Sequence, residues 1–220
     1  MFDFGVVISN IDVLASGYKF TILVFVLVCG GAFFSGTLMS LLRISKLPFL
    51  KYSAAAYISV FRCTPALVQL AWIYFVFPEL TGISLTPFVG AVLASGLRAT
   101  AFYAEATRAG LQAIPREQTD ASKSIGLSWV QRQRYVILPQ AVRIALPIII
   151  TNMVGTLRQT ALVSTIAVPD LMYQGRLLTS LLFKPVEILT VVAFLYLALT
   201  VPLARLGDWL EERWRTKVSQ

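Results

Sequence analysis

Apolar residues run unbroken, or nearly so, through five stretches of this chain, each about as long as a bilayer is thick. Phe20–Leu42 has 23 residues and no charge. Ala55–Phe77 is interrupted only by Arg62, Leu85–Ala106 by Arg98 and Glu105, and Val136–Leu157 by Arg143. Ile188–Ala204 adds 17 uncharged residues. A helix that crosses a membrane needs about 20 such residues. The pattern therefore predicts an all-α integral membrane bundle of about five helices. Gln159–Pro169 is also uncharged but has 11 residues, too few to cross. It reads as a partly buried, re-entrant segment between spans four and five. Gly90, Ala91, Ala94 and Ser95 are spaced for close helix packing.

These spans divide the chain into an extracytoplasmic segment (1–19), a membrane domain (20–206) with a cytoplasmic loop (107–135), and a cytoplasmic tail (207–220). The first 18 residues carry Asp3 and Asp12 and no basic n-region, which does not suit a signal peptide. Orientation follows from Lys and Arg. With the N-terminus outside and the C-terminus in the cytoplasm, 15 basic residues fall inside and four outside: Lys19, Arg158, Arg176 and Lys184. On this reading Arg62 snorkels to the cytoplasmic interface. Trp209 and Trp214 anchor an amphipathic tail there.

Composition agrees with the pattern. The chain is 57% hydrophobic and 14% charged, with a mean hydropathy of +0.74. A soluble domain carries about 25% charge. The net charge of +8 would suit nucleic acid in a polar chain. Here it reads as the positive-inside bias, so lipid is the expected contact and nucleic acid is not. Histidine is absent, which excludes His-based triads and His metal sites. Cys29 and Cys63 lie in apolar runs and read as thiols, not as a disulfide or zinc framework. With no paired carboxylate either, a membrane enzyme is disfavoured.

The carboxylates bear on the energy source. Ion-coupled transporters place ionisable groups at mid-membrane. All 11 acidic residues here fall in loops or near span ends, Glu105 deepest. No Gly-x-x-x-x-Gly-Lys-Ser/Thr loop is present to bind ATP. If the chain pumps, the energy must arrive from a partner, and the longest cytoplasmic connection is where it would enter. There, Arg116–Ile125 is a helix candidate after Pro115, and Gly126 supplies its C-terminal stop. Ser128-Trp129-Val130-Gln131 fits a capping box for the next helix.

This loop resembles the cytoplasmic signature of the membrane subunits of ATP-binding-cassette importers: Glu-Ala-Ala, three residues, Gly, nine residues, Ile-x-Leu-Pro. Here Asp120-Ala121-Ser122, Gly126 and Val136-Ile137-Leu138-Pro139 keep every spacing, with Asp for Glu, Ser for the second Ala and Val for Ile. Four further segments resemble the polar amino acid permease subfamily, the histidine, glutamine and arginine type. They are Phe61-Arg62-Cys63-Thr64-Pro65-Ala66-Leu67-Val68-Gln69, Tyr103 to Pro115, Ile137-Leu138-Pro139-Gln140-Ala141 with Leu146-Pro147, and Arg158-Gln159-Thr160-Ala161-Leu162-Val163, similar to Lys-Asp-Thr-Ser-Leu-Val. The resemblance covers about Gly17 to Arg213.

It implies a non-enzymatic permease subunit in the inner membrane of a bacterium. Its implied partners are a second permease subunit, identical or related, two ATPase subunits, an extracytoplasmic solute-binding protein and a small polar solute. ATP and Mg then belong to the ATPase, and this chain binds no cofactor. Asp120, Ala121, Ser122 and Gly126 are the expected ATPase-coupling residues. Arg98 stands where this family usually carries a small polar residue. It is expected to meet a substrate carboxylate, or else to pair with Glu105 two turns on. Arg158, Gln159 and Thr160 close span four, to line the path or to satisfy freed backbone groups. The alternative function is a scaffold or channel-like subunit that docks an ATPase without moving solute.

Overall fold

The computed structural model describes residues 4–215; Met1–Asp3 and the tail end 216–220, with Lys217, lie outside the described residues. A short α1 (Gly5–Ser9) leads into α2 (Ile11–Arg43), a helix of 33 residues. Helix thus begins nine residues ahead of the first apolar run. The chain continues as α3 (Pro48–Cys63), α4 (Ala66–Ala71), a π-turn (Trp72–Val76), α5 (Phe77–Thr81), and α6 (Pro87–Gln112). The cytoplasmic loop of the sequence reading holds α7 (Arg116–Ser124) and α8 (Trp129–Arg132). A second π-turn (Gln133–Ile137) leads to α9 (Leu138–Gln159), a 3-10 segment (Thr160–Ile166), α10 (Leu171–Leu182) and α11 (Pro185–Arg215).

Among the described residues, three helical runs are long and apolar enough to cross a membrane: α2, Trp129–Ile166 and α11. The expected second span is not one straight helix. Pro65 pushes Thr64 out of helical geometry (φ −94, ψ 146), and α3 meets α4–α5 at a bend of 110°. α6, at 26 residues, is long enough to span but carries Arg98, Glu105 and Arg108. It sits in the middle of the bundle, where neighbouring helices cover that polarity. Both π-turns end just before a proline, Pro78 and Pro139. A proline ring clashes with the carbonyl four residues back, and a widened turn relieves the clash.

Packing is inside-out relative to a soluble protein. α6 buries Gly90, Ala91, Ala94, Ala99, Ala101, Ala104, Ala106 and Gly110. Large apolar side chains such as Phe34 and Phe194 face outward, 75% and 65% exposed. Lipid is as apolar as leucine, so close backbone approach through small residues is what holds such helices together. A Cβ on Gly110 would lie 2.5 Å from the Ala141 carbonyl of α9, and one on Gly36 would lie 2.7 Å from Tyr103. Gly90, Ala91 and Ala94 pack as expected, against Tyr74 and the cluster of Leu70, Ile73, Val163 and Ile166.

α10 was not legible as a helix in the sequence. Asp170, fully buried, caps it by accepting from the Tyr173 N–H (2.9 Å) and the Tyr196 hydroxyl (3.1 Å). Thr21 Oγ1 accepts from the Leu171 N–H at 3.0 Å, tying α10 to α2. Asp170 is thus a fully buried carboxylate, and capping occupies it.

Candidate functional site

The break at Thr64–Pro65 leaves the last carbonyls of α3 without helical partners inside the bundle. Arg98 of α6 supplies the missing donors. Its Nη1 donates to the Phe61 and Thr64 carbonyls, each at 3.0 Å, and its Nε donates to Gln159 Oε1 at 3.0 Å. The Phe102 ring lies 4.8 Å below the guanidinium. Gln69 Nε2 serves the same two carbonyls at 2.9 and 3.2 Å and also reaches Thr64 Oγ1. One planar, permanently charged group thus joins the end of α3, the middle of α6 and the end of α9.

Arg98 does not pair with Glu105. Arg108 holds Glu105 through two hydrogen bonds, 3.0 and 2.5 Å, and Arg62 approaches it at 3.6 Å. The Arg62 side chain, 43% exposed, is paired there with that carboxylate. It sits at the end of α3, over Phe102, because the chain turns there.

A cavity of about 240 Å³ opens beside Arg98, lined by Ser95, Thr151, Asn152, Thr156, Arg158 and Gln159 among others. Gln159 and Arg158 both border it. Thr160 does not: it is 1% exposed and donates to the Leu157 carbonyl at 2.7 Å, the backbone role open to it at a helix end. Arg158 also borders a neighbouring cavity with Leu197 and Thr200, the middle of α11. The end of α9 thus lies level with mid-α11. Thr151 and Asn152 were missed in the sequence, although they interrupt the apolar run of the fourth span.

The second region of interest is the α7–α8 turn. α7 ends in a Schellman motif: the Leu127 N–H donates to Ser122 O (3.1 Å) and the Gly126 N–H to Lys123 O (2.9 Å). Gly126 adopts φ +78, which a residue with a Cβ rarely tolerates. The Ser128–Gln131 capping box is present, at 3.3 and 2.9 Å. Asp120 is exposed and bonded to Lys123 at 2.8 Å, and that hydrogen bond holds its carboxyl below the usual range. Ala121 is exposed, whereas Ser122 is buried and donates to the Thr119 carbonyl at 2.7 Å. The turn also exposes Ile125, Trp129 and Val130, at 75%, 66% and 63%. This apolar patch was not singled out from the sequence, where such residues are also what a buried helix face requires.

Residues 18–216 match the family described as binding-protein-dependent transport system inner membrane component. The chain belongs to this family. It is 30% identical to the probable glutamine ABC transporter permease protein GlnM of Bacillus subtilis, covering 95% of this chain and 96% of that protein. Identity to the probable amino-acid ABC transporter permease protein PatM of Vibrio harveyi is 37%, over 78% of each chain. A solved amino acid ABC transporter with histidines superposes with a TM-score of 0.90 at 30% identity, over 97% of this chain and 99% of that one. The inward-facing MetNI methionine ABC transporter shares the fold alone, with a TM-score of 0.76 at 19% identity. The chain is accordingly a multi-pass inner-membrane component of an ABC importer, and coupling to an ATPase is general to its family.

Proposed function

We propose that this chain is the membrane subunit of an ATP-driven importer for polar amino acids or related solutes. It forms half of the translocation path with a second permease subunit. It takes solute from an extracytoplasmic binding protein and takes its energy through the α7–α8 turn, which docks on one of two cytoplasmic ATPases. ATP and Mg act on those partners. The observation that carries the reading is an exposed, doubly capped helix–turn–helix at the signature spacing, on a bundle that holds a polar cavity between α6 and α9. Asp120, Ala121 and Gly126 face outward there, and Ser122 packs the turn from inside. Arg98, Arg158 and Gln159 mark the path. Thr160 shapes the end of α9 beside it.

Reconstitution with its ATPase and binding protein tests this. Amino acid loaded on the binding protein should stimulate ATP hydrolysis and drive uptake. Stimulated hydrolysis without uptake would make the chain a docking scaffold instead.

The orientation we propose is N-terminus outside. Ser9 is exposed. In a chain lacking Cys29 and Cys63, Ser9→Cys should react with an impermeant thiol reagent in intact cells. A cysteine in place of Ser219, outside the described residues, should not. The reverse labelling would invert the topology.

A further inference from the structure

We infer that the cavity beside Arg98 favours anionic solutes, amino acids whose side chain adds a second carboxylate, over neutral or cationic ones. This rests on the reading of the chain as an amino acid importer subunit, and it names the charge class that subunit takes.

Two arginines, Arg98 and Arg158, border this one cavity, and among the described residues no Asp or Glu lines it. A guanidinium stays charged at any physiological pH, so neither site can neutralise itself. Their donors are differently committed. Arg98 uses Nε and Nη1 on Gln159 and on the α3 carbonyls, and its Nη2 makes no hydrogen bond among the described residues. Arg158 makes no hydrogen bond or ion pair among the described residues. A charge left without a partner at the level of mid-α11 is costly unless water or a solute meets it.

The surrounding charges do not supply a counter-ion. From α3 comes Arg62 and from α6 come Glu105 and Arg108. That single carboxylate is already held by Arg108 at 2.5 Å and Arg62 at 3.6 Å. On α11, Asp208 borders the neighbouring cavity and makes no ion pair with Arg158. The local balance is thus strongly positive. A lysine- or arginine-like solute entering the cavity would meet two like charges. A solute with two carboxylates offers one to Arg98 Nη2 and one to the uncommitted fork of Arg158. Asn152 donates to the Phe102 carbonyl at 3.4 Å, which leaves its own Oδ1 as an acceptor for an α-ammonium. At about 240 Å³ the space has room for a small solute.

The test is equilibrium binding to the permease–ATPase complex in lipid nanodiscs, without binding protein, so that the latter's own selectivity does not enter. The probes are labelled L-glutamate, L-aspartate, L-glutamine and L-arginine. Glutamate and aspartate should bind at least tenfold more tightly than glutamine, and arginine should show no saturable binding. Arg158→Gln should bring glutamate to the level of glutamine. Arg158→Lys, which keeps the charge, should retain the ranking at weaker affinity. Glutamine or arginine binding as tightly as glutamate, or an unchanged ranking in Arg158→Gln, overturns the charge selection and leaves the amino acid path standing. Absence of binding and of reconstituted uptake for every amino acid overturns the underlying reading and this inference with it. The wild-type ranking decides the matter even if a variant fails to assemble.

Discussion

Gly126→Pro is expected to leave the chain in the membrane while abolishing uptake and releasing the ATPase. Two features of the structure set the size of the effect. Gly126 sits at φ +78, and proline holds φ near −65°. The Gly126 N–H also donates to Lys123 O at 2.9 Å, and proline has no N–H to give. Both the direction of the chain and the motif that ends α7 are lost, so α7 and α8 no longer present one surface. Asp120→Lys should reach the same end by another route, since it reverses the charge of an exposed residue already beside Lys123. Co-purification of the ATPase and uptake in vesicles are the measurements. Normal co-purification with both variants would remove the α7–α8 turn from the coupling role. Trp129→Ala, on the exposed patch, should weaken co-purification without touching the cap.

Arg98→Asn is expected to assemble with the ATPase, to lose preference for carboxylate-rich solutes and to melt earlier. The stability loss follows from the donors removed. Hydrogen bonds from a charged group contribute about 1.5–3 kcal/mol when well buried. Arg98 is half-buried and Gln69 still serves the Phe61 and Thr64 carbonyls, so a loss of about 1–2 kcal/mol is expected. Arg98→Lys separates the two roles. It keeps the charge but lacks the planar fork that reaches Gln159 and two carbonyls together. It should keep more of the solute preference than Arg98→Asn while melting comparably early. Uptake of a labelled amino acid panel, read beside the melting temperature of the complex, checks this. A wild-type uptake profile in Arg98→Asn with a lowered melting temperature would make the arginine a helix clamp and nothing more.

The α7–α8 turn was legible because its geometry is local. A Schellman stop needs a residue that accepts positive φ, and a capping box needs Ser and Gln three apart; both lie within a few residues of Gly126 and Ser128. Long apolar runs were legible for the same reason, since a membrane helix satisfies its backbone within itself. The resemblance of spaced motifs reached the family before any contact was known.

The polar centre of the bundle was hidden, and there the physical reason is distance in sequence. Pro65 marks a break, but which donors meet the freed carbonyls depends on α6 and α9 arriving beside α3. Arg98 lies 37 residues from Phe61 and 61 from Gln159. A helical reading offered Arg98 only Glu105, the acidic residue on its own face, whereas packing gave Glu105 to Arg108 and Arg62. Asp170 showed the converse: a loop carboxylate in the sequence becomes a fully buried cap once α2, α10 and α11 close around it. Sequence alone determined the long apolar helices and the α7–α8 turn, which rest on neighbouring residues, and the family, which rests on motifs at fixed spacings. The tertiary structure decided which charges meet, because in a bundle of helices a side chain's partners come from other helices.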